Sequence, residues 1–359
     1  MLQVRKSESP QRMLLKIFFN ESPEDVYQNS ILVNVFRTFI NSRFKYLRSG
    51  LSVFPTFGLN LLSKVTKQAR MFTLNCRGRL LIVDKPIVMG IINATPDSFY
   101  AESRHSGVDS VLQQAEQMLK EGAAILDIGG QSTRPSSEKV TAEEELKRVI
   151  SAIEAIHRQF PGVIISIDTY YSVVAKEAVD AGASIVNDIS AGSMDELMIP
   201  LVASLQVPYV LMHMKGTPQT MQQSAQYDNV TKEVLDFFIS KTAQLRQAGI
   251  RDIIIDPGFG FGKTIEHNFK LLRNLSLFKM PECPLLLGIS RKSTIYKTLG
   301  VPVEEALNGT TVLNTIGLMN GADIIRVHDV LEAKQAIELV TRMRENIEQG
   351  IEYRTRNKE

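Results

Sequence analysis

Residues 87–99 read Ile87-Val-Met-Gly-Ile-Ile-Asn-Ala-Thr-Pro-Asp-Ser-Phe99. The first six positions are apolar with no alternating polar face, the pattern of a strand buried on both sides. Asn93, Thr95, Asp97 and Ser98 then gather around Pro96, which marks a turn or loop. Short Val- and Ile-rich runs of the same kind recur at Ile125–Gly129, Val163–Asp168, Ile185–Ile189, Tyr209–His213, Ile253–Asp256, Leu285–Ile289 and Ile324–Val327. With the first, that makes eight. Stretches with helical spacing lie between them, among them Val108–Lys120, Ala142–Gln159, Val230–Ala248 and Val330–Ile347. Thr141 stands before a run of Glu, a hydroxyl cap with negative charge at a helix's positive end. Gly122, Gly182, Gly249 and Gly321 sit two or three residues before the next strand, where helices end. Strand alternating with helix predicts a parallel sheet. Eight units in about 270 residues predict an α/β fold closed as a (β/α)8 TIM barrel. An open doubly wound sheet is the alternative.

Composition is that of a globular chain: of 359 residues, 44% are hydrophobic and 22% charged, with a formal net charge of +2. Charge is uneven, however. Residues 1–70 hold 11 Lys/Arg against 4 Asp/Glu, and the rest 30 against 35. A mildly acidic main body excludes a general nucleic-acid surface, so an anion must be met by a local cluster. Cys76 and Cys283 are too few for a disulfide framework and lack metal-ligand spacing, which predicts free thiols in a reducing cytoplasm. No apolar run is long enough for a membrane span. Residues 1–70 show no sustained period. They are read as an extension without catalytic role, as a mis-assigned start ahead of Met71, or as a transit peptide. The barrel is expected over 71–350 and a polar tail over 351–359.

In such a barrel, chemistry sits where strands end, and here every strand ends in polar groups. Asn93 closes the first; Gly129-Gly-Gln-Ser-Thr-Arg-Pro135 follows the second. Asp168-Thr169, Asn187-Asp188, then His213 and Lys215, and Asp256-Pro-Gly258 end the next four. Ser290-Arg-Lys292, then Arg326, His328 and Asp329, end the last two. Asp168, Asn187 and Asp256 suit a flat heterocycle with an amidine-like edge, because a carboxylate facing paired N–H donors makes a charge-assisted, directional bond. Arg326, His328 and Lys263 suit phosphate; Arg326 and His328, two apart on a strand, point the same way. Asn93 offers a neutral oxygen to Mg²⁺. Plainer readings stand beside these: Asp188 and Asp329 as loop or cap carboxylates, His213 as a core histidine, Lys215 as a solvated charge. The stretch Gly258-Phe-Gly-Phe-Gly-Lys-Thr264 has neither P-loop nor dinucleotide-fold glycine spacing. It reads as a close-approach loop, with Phe259 and Phe261 either packing or stacking on a ring.

Taken together, Asn93-Ala-Thr-Pro-Asp-Ser-Phe99, the 129–135 segment, Ile167-Asp-Thr169, Asn187-Asp188, Asp256-Pro-Gly-Phe-Gly-Phe-Gly-Lys263, Ser290-Arg-Lys292 and Arg326-Val-His328 resemble the dihydropteroate synthase family, in the family's order, over residues 71 to about 347. The resemblance implies a transferase of folate biosynthesis, a sulfonamide target. It would join (7,8-dihydropterin-6-yl)methyl diphosphate to 4-aminobenzoate, giving 7,8-dihydropteroate and diphosphate with Mg²⁺. It implies that Asp168, Asn187, Asp256 and Lys292 hold the pterin together with Thr133. Asn93, Arg326 and His328 would hold the diphosphate and its Mg²⁺, with Asn93 as the metal ligand. Arg134, Pro135, Phe261 and Ser293 would line the aminobenzoate site. Asp168, Lys292, Arg326 and His328 would be the catalytic group, and the protein a cytoplasmic homodimer.

Two departures are visible. Gln131 and Ser136 stand where the family often has Glu and Gly, and Tyr100-Ala-Glu-Ser-Arg104 replaces the usual Ser-Asp-Gly-Gly. Both bear on loop behaviour and sulfonamide response rather than on the reaction. Rival expectations are a pterin-binding methyltransferase domain, which needs no diphosphate clamp, and a silent paralogue that binds pterin or a partner protein without turnover.

Overall fold

The computed structural model describes residues 71–94, 104–131, 140–221 and 223–356, apart from the side chains of 104–106 and 346–356. The segment 1–70 lies outside the described residues, as do Thr133, Arg134, Pro135, Ser136 and Tyr100. The chain divides into two units, and everything described belongs to the second, Ala69–Glu359.

An antiparallel hairpin comes first, β1 (Phe72–Cys76) with β2 (Arg79–Val83). Its two-residue turn, Arg77-Gly78, has φ of 54° and 84°, both in the left-handed region that matches the twist of a tight hairpin. The barrel strands follow: β3 (Ile87–Asn93), β4 (Ile125–Gly129), β5 (Ile164–Asp168), β6 (Ile185–Asp188), β7 (Tyr209–Met212), β8 (Ile253–Asp256), β9 (Leu286–Leu287) and β10 (Ile324–Val327). They form one parallel sheet in the order β8-β7-β6-β5-β4-β3-β10-β9. A parallel bridge between Ile255 and Leu285 joins β8 to the β9 side. The sheet therefore closes on itself as the expected TIM barrel, and the doubly wound alternative, which requires a reversal of strand order, does not hold.

Helices α1 (Arg104–Glu121), α2 (Ala142–Gln159), α3 (Ser172–Ala181), α4 (Met198–Leu205), α5 (Val230–Gln247), α6 (Ile265–Arg273), α7 (Ser293–Leu299), α8 (Leu307–Met319) and α9 (Val330–Arg356) cover the outside. Thr141 caps α2, its hydroxyl accepting from the Glu144 amide at 3.3 Å. The four predicted helix-ending glycines all have positive φ, from 97° to 128°. Two boundaries differ from expectation. The Leu285–Ile289 run yields only a two-residue ladder, preceded by Leu285, whose amide donates to the Asp323 side chain at 2.9 Å. The last helix continues past 347 to Arg356, with no proline to stop it.

The barrel interior changes character along its axis. At the bottom, one apolar residue from each strand, from Met89 round to Ile324, packs with Leu74, Cys76 and Val83 of the hairpin. The hairpin thus plugs the N-terminal end. Two residues further along, the same inward rows carry Asp127, Ser166, Asn187, Asp256 and Arg326. The apolar floor keeps water from below, and the polar rows above it face the rim.

Candidate active site

The centre of the polar layer is Arg326 on β10. Its Nε donates to Asp127 Oδ2 at 2.6 Å and its Nη2 to Asp168 Oδ2 at 2.5 Å. Burial works against the guanidinium charge, but Asp127 and Asp168 outweigh it and hold Arg326 above the usual arginine range. Asp127 also accepts from Asn187 Nδ2 at 3.0 Å, so β4, β5, β6 and β10 meet in one network. The other oxygen of Asp127, Oδ1, is buried without a hydrogen-bond partner. An unmatched acceptor in a buried carboxylate is costly unless a ligand supplies the donor.

Burial is also the main cause of the raised Asp168 carboxyl, which reaches about 7 against the pull of Arg326. Asp256, at the end of β8, is raised by burial with Lys292 and its own loop opposing; Oδ1 accepts from the Gly258 amide at 2.7 Å. Burial lowers Lys292 to about 8, while Asp256 and Asp168 favour its charge. The Lys292 ammonium donates to the Phe259 carbonyl and lies 4.5 Å from the centre of the Phe261 ring, a cation–π distance. Ser293 begins α7 immediately after it.

His328 lies beyond β10, its Nδ1 3.0 Å from the Ser290 hydroxyl and its amide donating to the same oxygen at 3.3 Å. Asn93, the last residue of β3, is exposed at the rim, between β10 and β4. Asp168, Asn187, Asp256, Lys292 and Arg326 are therefore brought together, with His328 and Asn93 above them. Thr133, Arg134 and Pro135 fall outside the described residues.

The plainer readings hold for several groups. Asp188 accepts from the Ser190 and Gly192 amides and the Tyr209 hydroxyl, each at 2.7 Å. Asp329 takes a two-pronged bond from Arg291 at 2.9 and 2.7 Å. Lys215 reaches the Gln226 carbonyl and Glu233. His213 is buried against the edge of Phe237, with ring centres 4.9 Å apart; burial, then Lys263, lowers it to about 2, so it is neutral. Lys263 is not a phosphate group at the mouth, because its donors are spent on carbonyls of its own loop and on His213. Gln131 donates to the Tyr170 hydroxyl at 2.5 Å.

Asp127 is the site residue that strand endings do not reveal. The signal is its position inside Ile125-Leu-Asp-Ile-Gly129, an ionisable group in a run buried on both faces.

Residues 89–328 match the model of the family described as pterin binding enzyme. Dihydropteroate synthase of Escherichia coli (strain K12) is 44% identical over 266 residues, covering 74% of this chain and 94% of the relative. The solved Yersinia pestis dihydropteroate synthase, in complex with a sulfonamide drug, superposes with a TM-score of 0.72 at 41% identity, over 76% of this chain and 100% of that one. The Xanthomonas albilineans enzyme, solved with 7,8-dihydropteroate, superposes with a TM-score of 0.68 at 36% identity, over 76% and 99%.

Proposed function

Because the chain belongs to the dihydropteroate synthases, a family of pterin binding enzymes, we propose a division of labour in its barrel mouth. The observation that carries it is the buried Asp127–Arg326–Asp168 network with Asn187 and an unpartnered Asp127 oxygen. The reaction is condensation of the dihydropterin methyl diphosphate with 4-aminobenzoate to 7,8-dihydropteroate and diphosphate.

A pterin presents an edge of N–H donors and ring acceptors in one plane. The carboxylates of Asp168 and Asp256 and the free Oδ1 of Asp127 supply acceptors, Asn187 supplies an amide, and Lys292 supplies a donor. Arg326 is held by two carboxylates before any ligand arrives, so its remaining Nη1 donors meet the diphosphate without reorganisation. His328 is the second donor there. Departure of diphosphate breaks the C–O bond and leaves a methylene cation delocalised into the ring, and the nearby carboxylates favour that charge. The aniline nitrogen then forms the new C–N bond and loses its proton to solvent, because a protonated aniline is itself a strong acid. Phe261 and Ser293 flank the amine side; by resemblance alone, Arg134 and Pro135 are assigned there and Thr133 to the pterin.

Mg²⁺ belongs to this proposal through Asn93. Among the described residues no three His, Cys, Asp or Glu side chains cluster as an all-protein cage. One exposed amide oxygen fits an ion that takes its other ligands from water and substrate phosphate. When bound, the ion would neutralise charge on the leaving diphosphate.

A cytoplasmic homodimer is also proposed. Cys76 and Cys283 are free and buried, and no described helix is long and apolar enough to cross a membrane. The exposed apolar side chains of α8, Val312, Ile316 and Met319, suit a second copy of the chain.

The test is diphosphate release by the full chain with pterin diphosphate, Mg²⁺ and 4-aminobenzoate. The expected result is stoichiometric, amine-dependent release, with Arg326→Ala slowing turnover more than it weakens pterin binding. Release that ignores the amine, or equal loss of both quantities in the variant, would overturn the assignment.

A further inference from the structure

The loop after β8 holds a second lysine that the proposed reaction leaves unused. Lys263 is 3% exposed. Its Nζ lies 3.1 Å from the His213 carbonyl, 3.0 Å from the Gly258 carbonyl, 3.0 Å from the Phe261 carbonyl and 3.0 Å from His213 Nδ1. Burial pushes this lysine well below its usual range, with Asp256 opposing. Three carbonyls around one nitrogen nevertheless call for three donated protons, which the ammonium has and the neutral amine lacks.

The backbone is built for this contact. Gly258 has φ +69°, and a Cβ there would lie 2.0 Å from the His213 carbonyl oxygen; one at Gly262 would lie 2.5 Å from that of Lys215. Only glycine lets the loop lie directly on the segment following β7. The Phe261 amide donates back to the Gly258 carbonyl at 3.1 Å, closing a turn. Asn268 of α6 accepts from the Gly260 amide at 3.0 Å and reaches Thr294 of α7 at 2.8 Å, two residues after Lys292.

The other side of the same loop presents the Phe259 carbonyl and the Phe261 ring to the Lys292 ammonium. We propose that Lys263 is a positioning residue: an internal ammonium that folds the 258–263 loop onto the end of β7 and so fixes the two groups that hold Lys292. Its bearing on turnover rests on the proposed role of Lys292 toward the pterin. Where the glycine-rich stretch invites a phosphate reading, the loop instead encloses its own cation.

The experiment uses the full chain and trace acetylation with acetic anhydride, read at each lysine by mass spectrometry. In Lys263→Met, Lys292 is expected to react about fivefold faster or more, as contacts that hold its head are lost, while exposed Lys176 is unchanged. Lys263→Ala covers the case in which the Met variant folds poorly, since it leaves room beside the carbonyls. There, ammonium chloride restores the wild-type Lys292 rate, and tetramethylammonium chloride, which donates no hydrogen bond, does not. Equal Lys292 rates in wild type and variants overturn the proposal. So does a rise at all lysines together that ammonium fails to reverse. In the turnover assay, kcat/KM falls about tenfold in Lys263→Ala and recovers with ammonium, the restoration expected of a positioned hydrogen-bond network. A wild type that releases no diphosphate sinks the functional reading, and the labelling still decides the clasp.

Discussion

Glu145 on α2 is almost wholly buried, with Oε2 accepting from the Thr169 hydroxyl at 3.2 Å and Oε1 unpartnered. Burial, then the neighbouring Asp168, raises its carboxyl from the ordinary glutamate value of 4.5 to about 8. The folded state therefore keeps a proton that the unfolded state has released over that interval. Stability falls as pH climbs from the unfolded value through the folded one, and the loss is complete above it. Glu145→Gln fixes the neutral form at every pH. It is expected to match wild type near the acid end of this window and to exceed it at the alkaline end by about 5 kcal/mol, an order-of-magnitude value from the shift. Urea unfolding at the two ends measures the gap, and a constant gap would mean that Glu145 does not titrate with folding. The site's other carboxylates were legible in different degrees. Asp168 and Asp256 end their strands, where polarity breaks an apolar run and draws the eye. Asp127 sits inside such a run, and its Arg326 and Asn187 partners follow from the register of β4, β6 and β10, which a single strand's residues do not contain.

At the scale of elements, the barrel was legible because its strands are buried on both faces and several of its helices end in or just before glycine. The hairpin is not legible in the sequence. Its alternation is short, and β2 reads Arg79-Leu-Leu-Ile-Val83, a run whose Leu80 and Ile82 are exposed and whose pattern has no clean period. Its role depends on a surface that exists only after closure, the ring of first-row residues beneath the polar layer. Leu74 is 2% exposed there. Leu74→Ala is expected to cost about 2–5 kcal/mol, from lost transfer energy and the cavity left behind, seen as a lower urea midpoint. Turnover at room temperature should be unchanged, since the hairpin lies at the end of the barrel opposite the chemistry. A large loss of kcat with normal stability would show that the plug shapes the polar layer directly.

For the whole molecule, the apolar surface that folding leaves uncovered points to a second copy. On α8, Val312, Ile316 and Met319 recur at the spacing of one helical face and are exposed at 49%, 40% and 49%, while Thr310, Leu313, Asn314, Gly317 and Leu318 are buried on the opposite face. Leu339 and Met343 of α9 are exposed as well, and α8 and α9 are neighbours in the fold. Scattered apolar residues on a surface need no explanation, but three exposed apolar side chains on one face of a helix form a stripe suited to a partner. A stable homodimer buries about 800 Å² on each partner, and a symmetric contact places the same stripe against itself. Ile316→Glu sets two carboxylates near the axis of such a contact, where each loses water without gaining a partner. Sedimentation is expected to give a dimer for wild type and a monomer for this variant. The rim that carries Arg326 and Lys292 lies at the strand ends rather than on the outer helix face, so the monomer should still release diphosphate in an amine-dependent way. A wild type that sediments as a monomer would remove the dimer. A variant that is monomeric and inactive would show that the contact also shapes the mouth, through α7 and the Ser290–Ser293 turn that leads into it.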